Sequence, residues 1–262
     1  MTSPTYRLTA RGVLHGEWTK FWSLRSSWIT LAVSVLLLVT AGLIVAATFE
    51  PEDGSGPGAE TTDPVGLALS GSAFAALAVG VLGVLLSAGE YSTGMIRSTL
   101  TAVPSRLPVL WSKAAIAGGT AAVATAAGAL ASFLAGAPLV PDVMTALDLG
   151  DDGVLRALLS AGLYLGLVAV IGVGLGTLVR SSAGGITILA GVLLILPGLT
   201  MLLPDSWAGN IDPYLPSNAG DTIMSLTSSG AALSRPAGLA VLAGYAAITL
   251  GAAAYRLAKS DA

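Results

Sequence analysis

The stretch DLGDDGVLRALL (Asp148–Leu159) places Asp148, Asp151 and Asp152 close together, with Arg156 one turn further on. Clustered aspartates at a helix start could hold the divalent metal of a lipid-headgroup transferase. Such a site needs further acids on the same helix, and the next acid is Asp205. The plainer role is an N-cap and acidic first turn, where carboxylates complement the helix dipole. His15 is the only histidine, and Glu17 is its only close carboxylate, which is a poor basis for a metal site. A Ser/His hydrolase would need its histidine at membrane depth beside a serine. Cysteine is absent, so there is no thiolate nucleophile, zinc cluster or disulfide. GVGLG (Gly172–Gly176) imitates a phosphate loop but lies inside an apolar run, where glycines serve helix packing. No G-x-x-x-x-G-K-[ST] occurs. No catalytic, cofactor or metal residue is therefore expected.

Two other stretches gather charge in a chain with only 10% charged residues. GEYSTGMIRSTLTAVPSR (Gly89–Arg106) carries Glu90, Arg97 and Arg106, and Lys113 follows. Anchoring at a membrane surface accounts for the cations but not for Glu90, which follows an apolar run directly and must be solvated or paired. Gly94 permits a turn, Met95–Leu100 suits a short helix, and Pro104 ends it. In LHGEWTKFWSLRSSW (Leu14–Trp28), Leu14, Trp18, Phe21 and Trp22 follow i, i+4, i+7, i+8 and form one helical face. Gly16, Thr19, Lys20 and Ser23 form the other. Rings beside cations suit an interfacial helix, either as a membrane anchor alone or as an elbow that also receives a cytoplasmic partner.

The elements that position these stretches follow from composition. The 262 residues are 54% hydrophobic with mean hydropathy +0.81, and 27 charged groups are too few to solvate a surface of that size. A bilayer core needs about 20 apolar helical residues. Six runs qualify: 28–48, 65–88, 114–135, 157–179, 184–203 and 236–255, all free of Asp, Glu, Lys and Arg. Their length without period-2 alternation predicts helices, giving an all-α polytopic membrane protein. The first run is longer than a signal-peptide core and reads as an uncleaved span. Gly162/Gly166 and Gly172/Gly176 are i,i+4 pairs for close packing, and Pro197 should kink or interrupt the fifth helix. The third run, rich in Ala and Gly, must also span if the charges are to segregate. With six spans, ten of twelve basic residues fall on one side and twelve of fifteen acids on the other. That predicts a cytoplasmic leader (1–27), one transmembrane domain (28–255) and a cytoplasmic tail (256–262) in the plasma membrane.

EWTKFWSLRSSW before the first span and GEYSTGMIRSTLTAVPSR after the second resemble the ABC type-2 permease family, the membrane subunits of exporters driven by a separate ATPase. The likeness covers six spans, the interfacial leader, and the long outer connection Pro204–Arg235 with its Trp207, Pro213, Tyr214 and Pro216. The resemblance implies that the loop after the second span is a coupling helix docked on an ABC ATP-binding subunit. Glu90, Tyr91, Gly94, Arg97, Thr99 and Arg106 would form that contact. Glu17, Trp18, Lys20, Phe21, Trp22 and Arg25 of the interfacial helix would supply its second part. The working unit would add a second permease copy or a sister permease, within the lipid bilayer and without nucleic acid. The outer connection would hold short half-inserted helices, as gate or as plain lid.

None of the six runs holds an ionisable residue, which disfavours ion-coupled transport and points to an outside energy source and an apolar or amphipathic cargo. Two alternatives stand beside the permease. One is a membrane enzyme acting on lipid headgroups through Asp148, Asp151, Asp152 and Arg156. The other is a non-transporting immunity or accessory protein.

Overall fold

The computed structural model describes residues 9–49, 64–103, 106–139, 147–226 and 233–259. The protein is an all-α polytopic membrane protein, with no strand among the described residues. The leader helix α1 (Ala10–Ser23) starts at Thr9, whose hydroxyl accepts from the Gly12 N–H, and ends at an extended Leu24. The first span is α2 (Arg25–Ala47). The second is broken into α3 (Pro64–Leu69) and α4 (Ser72–Ser92), with Gly71 set against the α2 backbone at Leu37 and Leu38. The short α5 (Met95–Ala102) precedes the third span, α6 (Leu107–Gly136). The fourth is α7 (Val154–Val179).

The fifth span, Ser182–Thr200, comprises α8 (Ser182–Ala190), a π-helical turn over Gly191–Ile195, and α9 (Leu196–Thr200). The expected interruption at Pro197 is this π stretch. Proline lacks the N–H that would close an α-turn, and its ring crowds the carbonyl four residues earlier. Two short helices, α10 (Asp205–Ile211) and α11 (Pro216–Met224), lead to the sixth span, α12 (Arg235–Lys259).

All six expected runs are therefore helical, with α6 starting seven residues earlier than 114 and so taking in Lys113. Helix α7 is the axis of the bundle: 72% of its apolar window is buried, against 22–50% for the other spans. It packs on α4, α6 and α12. Its two glycine pairs face different neighbours. A methyl on Gly162 would sit 2.6 Å from the Ala122 carbonyl, and one on Gly166 would sit 2.8 Å from the Gly118 carbonyl, both on α6. Gly172 and Gly176 instead meet α4 at Gly80, Gly83, Val84 and Ser87. Without side chains the backbones approach closely, which is how helices gain contact where no water is released. The Ser87 hydroxyl donates across this seam to the Val173 carbonyl at 3.1 Å.

The acidic stretch departs from expectation. Asp148, Asp151 and Asp152 lie in the exposed turn before α7, and the N-cap is Gly153 at φ +90°, a conformation that glycine adopts without strain. Asp151 accepts from the Asp148 N–H at 2.6 Å, within the turn. Glu50, Glu52, Asp53, Glu60, Asp63 and Asp142 lie outside the described residues, as do Arg7, Pro104 and Asp261.

Candidate functional site: an ion cluster at the basic end

At the end of the bundle that holds most of the basic residues, α4 stops at Thr93 and the chain reverses through Gly94 at φ +73°. Helix α5 follows as a compact eight-residue element, two residues longer than the expected turn. Its inner side carries Ile96 and Thr99, and Val103 follows as its C-cap, all three buried. Its outer side, with Met95, Ser98, Thr101 and Ala102, is exposed, as are Ser92, Thr93 and Gly94 before it.

Four charged side chains converge beneath α5. Lys113 Nζ donates to Glu17 Oε2 at 2.7 Å, to Glu90 Oε1 at 2.7 Å and to the Leu86 carbonyl at 3.2 Å. Lys20 Nζ donates to Glu17 Oε1 at 2.8 Å, to Glu90 Oε1 at 3.0 Å and to Thr99 Oγ1 at 3.1 Å. Each ammonium has three N–H donors, and each uses all three. Glu17, Glu90 and Lys113 are at most 7% exposed, while a third of the Lys20 side chain reaches the surface. Lys113 lies six residues into α6, about 9 Å from its start at 1.5 Å per residue.

Two carboxylates and two ammoniums cancel, which is what allows them to leave water. Burial alone pushes Glu17 up, but Lys113 and then Lys20 beside it outweigh this and hold its carboxyl below the usual value. Burial also works against charge on Lys20, and its bonds to Glu17 and Glu90 outweigh it, so its ammonium is held above the usual value. Glu90 Oε2 is buried and accepts no hydrogen bond among the described residues.

The cluster changes the reading of the leader. The inward face of α1 is Val13, Glu17, Lys20 and Phe21, and Phe21 packs on Leu82 and Ile116. Leu14, Trp18 and Trp22 stay exposed on another face, so the expected four-residue apolar face is divided. Trp22 meets Trp18 and Phe21 edge-on, at ring-centre distances of 5.8 and 5.6 Å. Glu17 and Lys20 are turned into the bundle, and Arg25 opens α2 in an exposed position.

The remaining residues expected to form the coupling contact are divided among other contacts. Tyr91 lies under the Arg180 guanidinium, 5.2 Å from its ring centre. Arg180 caps α7 at φ +59°. Arg106 precedes α6 at φ +52° and donates to the Leu257 carbonyl at 3.3 Å, while Arg256 of α12 donates to the Leu178 carbonyl. The backbone of Arg97 belongs to α5, and its side chain lies outside the described part. Sequence reasoning named Glu17, Lys20, Glu90 and Thr99 but left out Lys113, which completes the cluster, and Arg180.

No group of three or more His, Asp or Glu side chains converges as a metal site among the described residues. Both ammoniums of the cluster have all three donors in use. What the arrangement does is tie α1, α4, α5 and α6 together at one end of the bundle. The chain matches no protein-family model, and no curated protein matches it significantly in sequence.

Proposed function

We propose that this chain is the permease subunit of an ABC-type exporter, itself not an enzyme, with both termini cytoplasmic in the plasma membrane. It would be driven by an ATP-binding subunit on a separate chain and would work with a second permease copy or a sister permease. Its cargo would be apolar or amphipathic. The observation that carries this reading is α5. It is a short helix between two spans, exposed on its outer side and held on its inner side by Thr99 to a charge cluster that also grips α1, α4 and α6. A loop built this way can pass a push from outside into three helices at once, whereas an untethered loop cannot. In this reading Glu17 and Glu90 transmit force inside the permease, and the partner meets Ser92–Met95, Ser98 and Thr101.

The test is co-purification from gently solubilised native membranes, with partners identified by mass spectrometry. A soluble P-loop ATPase should accompany the parent chain and be lost from Ser92→Lys or Thr101→Glu, both exposed positions that line no cavity with the cluster. Absence of any ATPase from well-folded parent protein would sink the proposal.

A further inference from the structure

Helix α1 does not lie flush on the bundle. Its exposed face overhangs α6 and α2, and the space beneath is a groove of about 780 Å3. The roof is Arg11, Leu14, His15, Trp18 and Trp22. The wall is Leu31 of α2 with Ala115, Ile116, Gly119, Thr120, Val123 and Ala124 of α6. That volume falls within the about 300–1,000 Å3 of ordinary small-ligand sites. The wall is mostly apolar, and Ala115, Gly119 and Ala124 keep it low along α6. Gly119 has nothing within 4 Å of where a Cβ would stand, so the groove reaches the α6 backbone.

Three features select the occupant. The wall belongs to spans, so the medium beside it is lipid hydrocarbon. The tryptophans lie on the roof, where amphipathic rings mark the level of lipid headgroups. Arg11 and His15, one turn apart, offer a fixed cation and an imidazole N–H at the same roof. Arg11 has no ion-pair partner among the described residues. We infer that this groove is a binding site for one anionic phospholipid. An acyl chain lies along Ala115, Gly119 and Val123, and the phosphodiester is held by Arg11 and His15. The site is separate from the coupling face, and the inference stands whether or not the chain is a permease.

Native mass spectrometry of the full chain in mild detergent tests this, with phosphatidylglycerol and phosphatidylcholine of identical acyl chains added in equal amounts. One phosphatidylglycerol should be retained in preference, by about fivefold for one basic residue at the headgroup. Gly119→Leu fills open space and should abolish retention of either lipid while leaving the protein folded. Arg11→Gln should keep a bound lipid but lose the preference. Equal retention of both lipids by the parent chain, unchanged in Gly119→Leu, would mean non-specific boundary lipid and overturn the assignment. Gly119→Leu turning a dimer into a monomer with lipid retention unaltered would overturn it in favour of a second copy in the groove.

Discussion

The two ends of the bundle handle charge in opposite ways. At the basic end, Glu17, Lys20, Glu90 and Lys113 are drawn into a cluster that joins four helices, and Arg106 and Arg256 donate to backbone carbonyls. At the acidic end, Asp148, Asp151 and Asp152 remain exposed in a turn. Among the described residues there, Arg156 and Arg235 reach inward, and Asp212 turns one carboxylate oxygen out of solvent. Arg156 donates to the Ile223 and Ser225 carbonyls at 3.1 and 3.0 Å, closing the end of α11, and Arg235 donates to the Leu226 carbonyl. One end is tied side chain to side chain, across elements up to 96 positions apart. The other is tied side chain to backbone, around one short helix. A fixed joint carries displacement between helices, and a capped helix end mainly keeps its own fold, so in the proposed reading the basic end is the mechanical one.

Removing a single cluster charge should have the largest effect. Lys113→Met leaves two buried carboxylates facing each other with only Lys20 between them. Breaking a buried pair from one side costs about 3–5 kcal/mol. The detergent-solubilised variant should melt well below the parent, and a probe cysteine at Val13, in a chain that has no other cysteine, should label faster as α1 lifts. Lys113→Met combined with Glu90→Gln should recover part of the loss, because Glu17 and Lys20 can still pair. No recovery would mean that packing of the lysine stem, not charge, holds this end.

The same joint should respond to pH from both sides. The Glu17 carboxyl is depressed below its usual 4.5, so its contribution is complete above that value and lost as pH falls through the lowered one. The Lys20 ammonium is raised above its usual 10.5, so its contribution is complete below that value and lost as pH rises through the raised one. Docking of α1, read from the labelling rate at Val13→Cys, should be flat between and weaken at each extreme. Glu17→Gln should weaken the acid limb and shift the alkaline limb to lower pH, because Glu17 is the main partner that raises Lys20.

The fold was legible because a bilayer fixes helix length, and six runs met that length. The packing glycines were legible because i,i+4 spacing defines a face. The cluster was half legible. Glu17 and Glu90 are two of only three acids on the basic side, and Glu90 had to be solvated or paired. Lys113 went unchosen because nothing local links it to residues 23 and 96 positions away. Phe21 was grouped with Trp18 and Trp22 because a helical wheel sorts residues by polarity. In α1 the packed face is the one with the two ionic partners, and periodicity cannot tell which neighbours will neutralise a charge. The acidic turn was misplaced by one step: Gly153, with its left-handed backbone, starts α7 in place of an aspartate.

At the acidic end the effects should be smaller and local. Arg156→Gln removes two charged hydrogen bonds to the end of α11 and should cost about 2 kcal/mol. Hydrogen exchange should quicken within Pro216–Met224, where Gly220 packs on the Tyr164 ring, and stay unchanged in α1.

Asp151→Asn should do least. The side chain is exposed, and the amide oxygen can still accept from the Asp148 N–H, so stability should stay within about 0.5 kcal/mol of the parent. Labelling of α1 should not change at all. This substitution also separates the two ends functionally. If transport persists in Asp151→Asn and Asp152→Asn but fails in Lys113→Met, function resides in the joint. If a metal-dependent activity on lipid headgroups is lost in the aspartate variants while the joint is intact, the chemistry belongs to the turn, and the cluster is only a fastening.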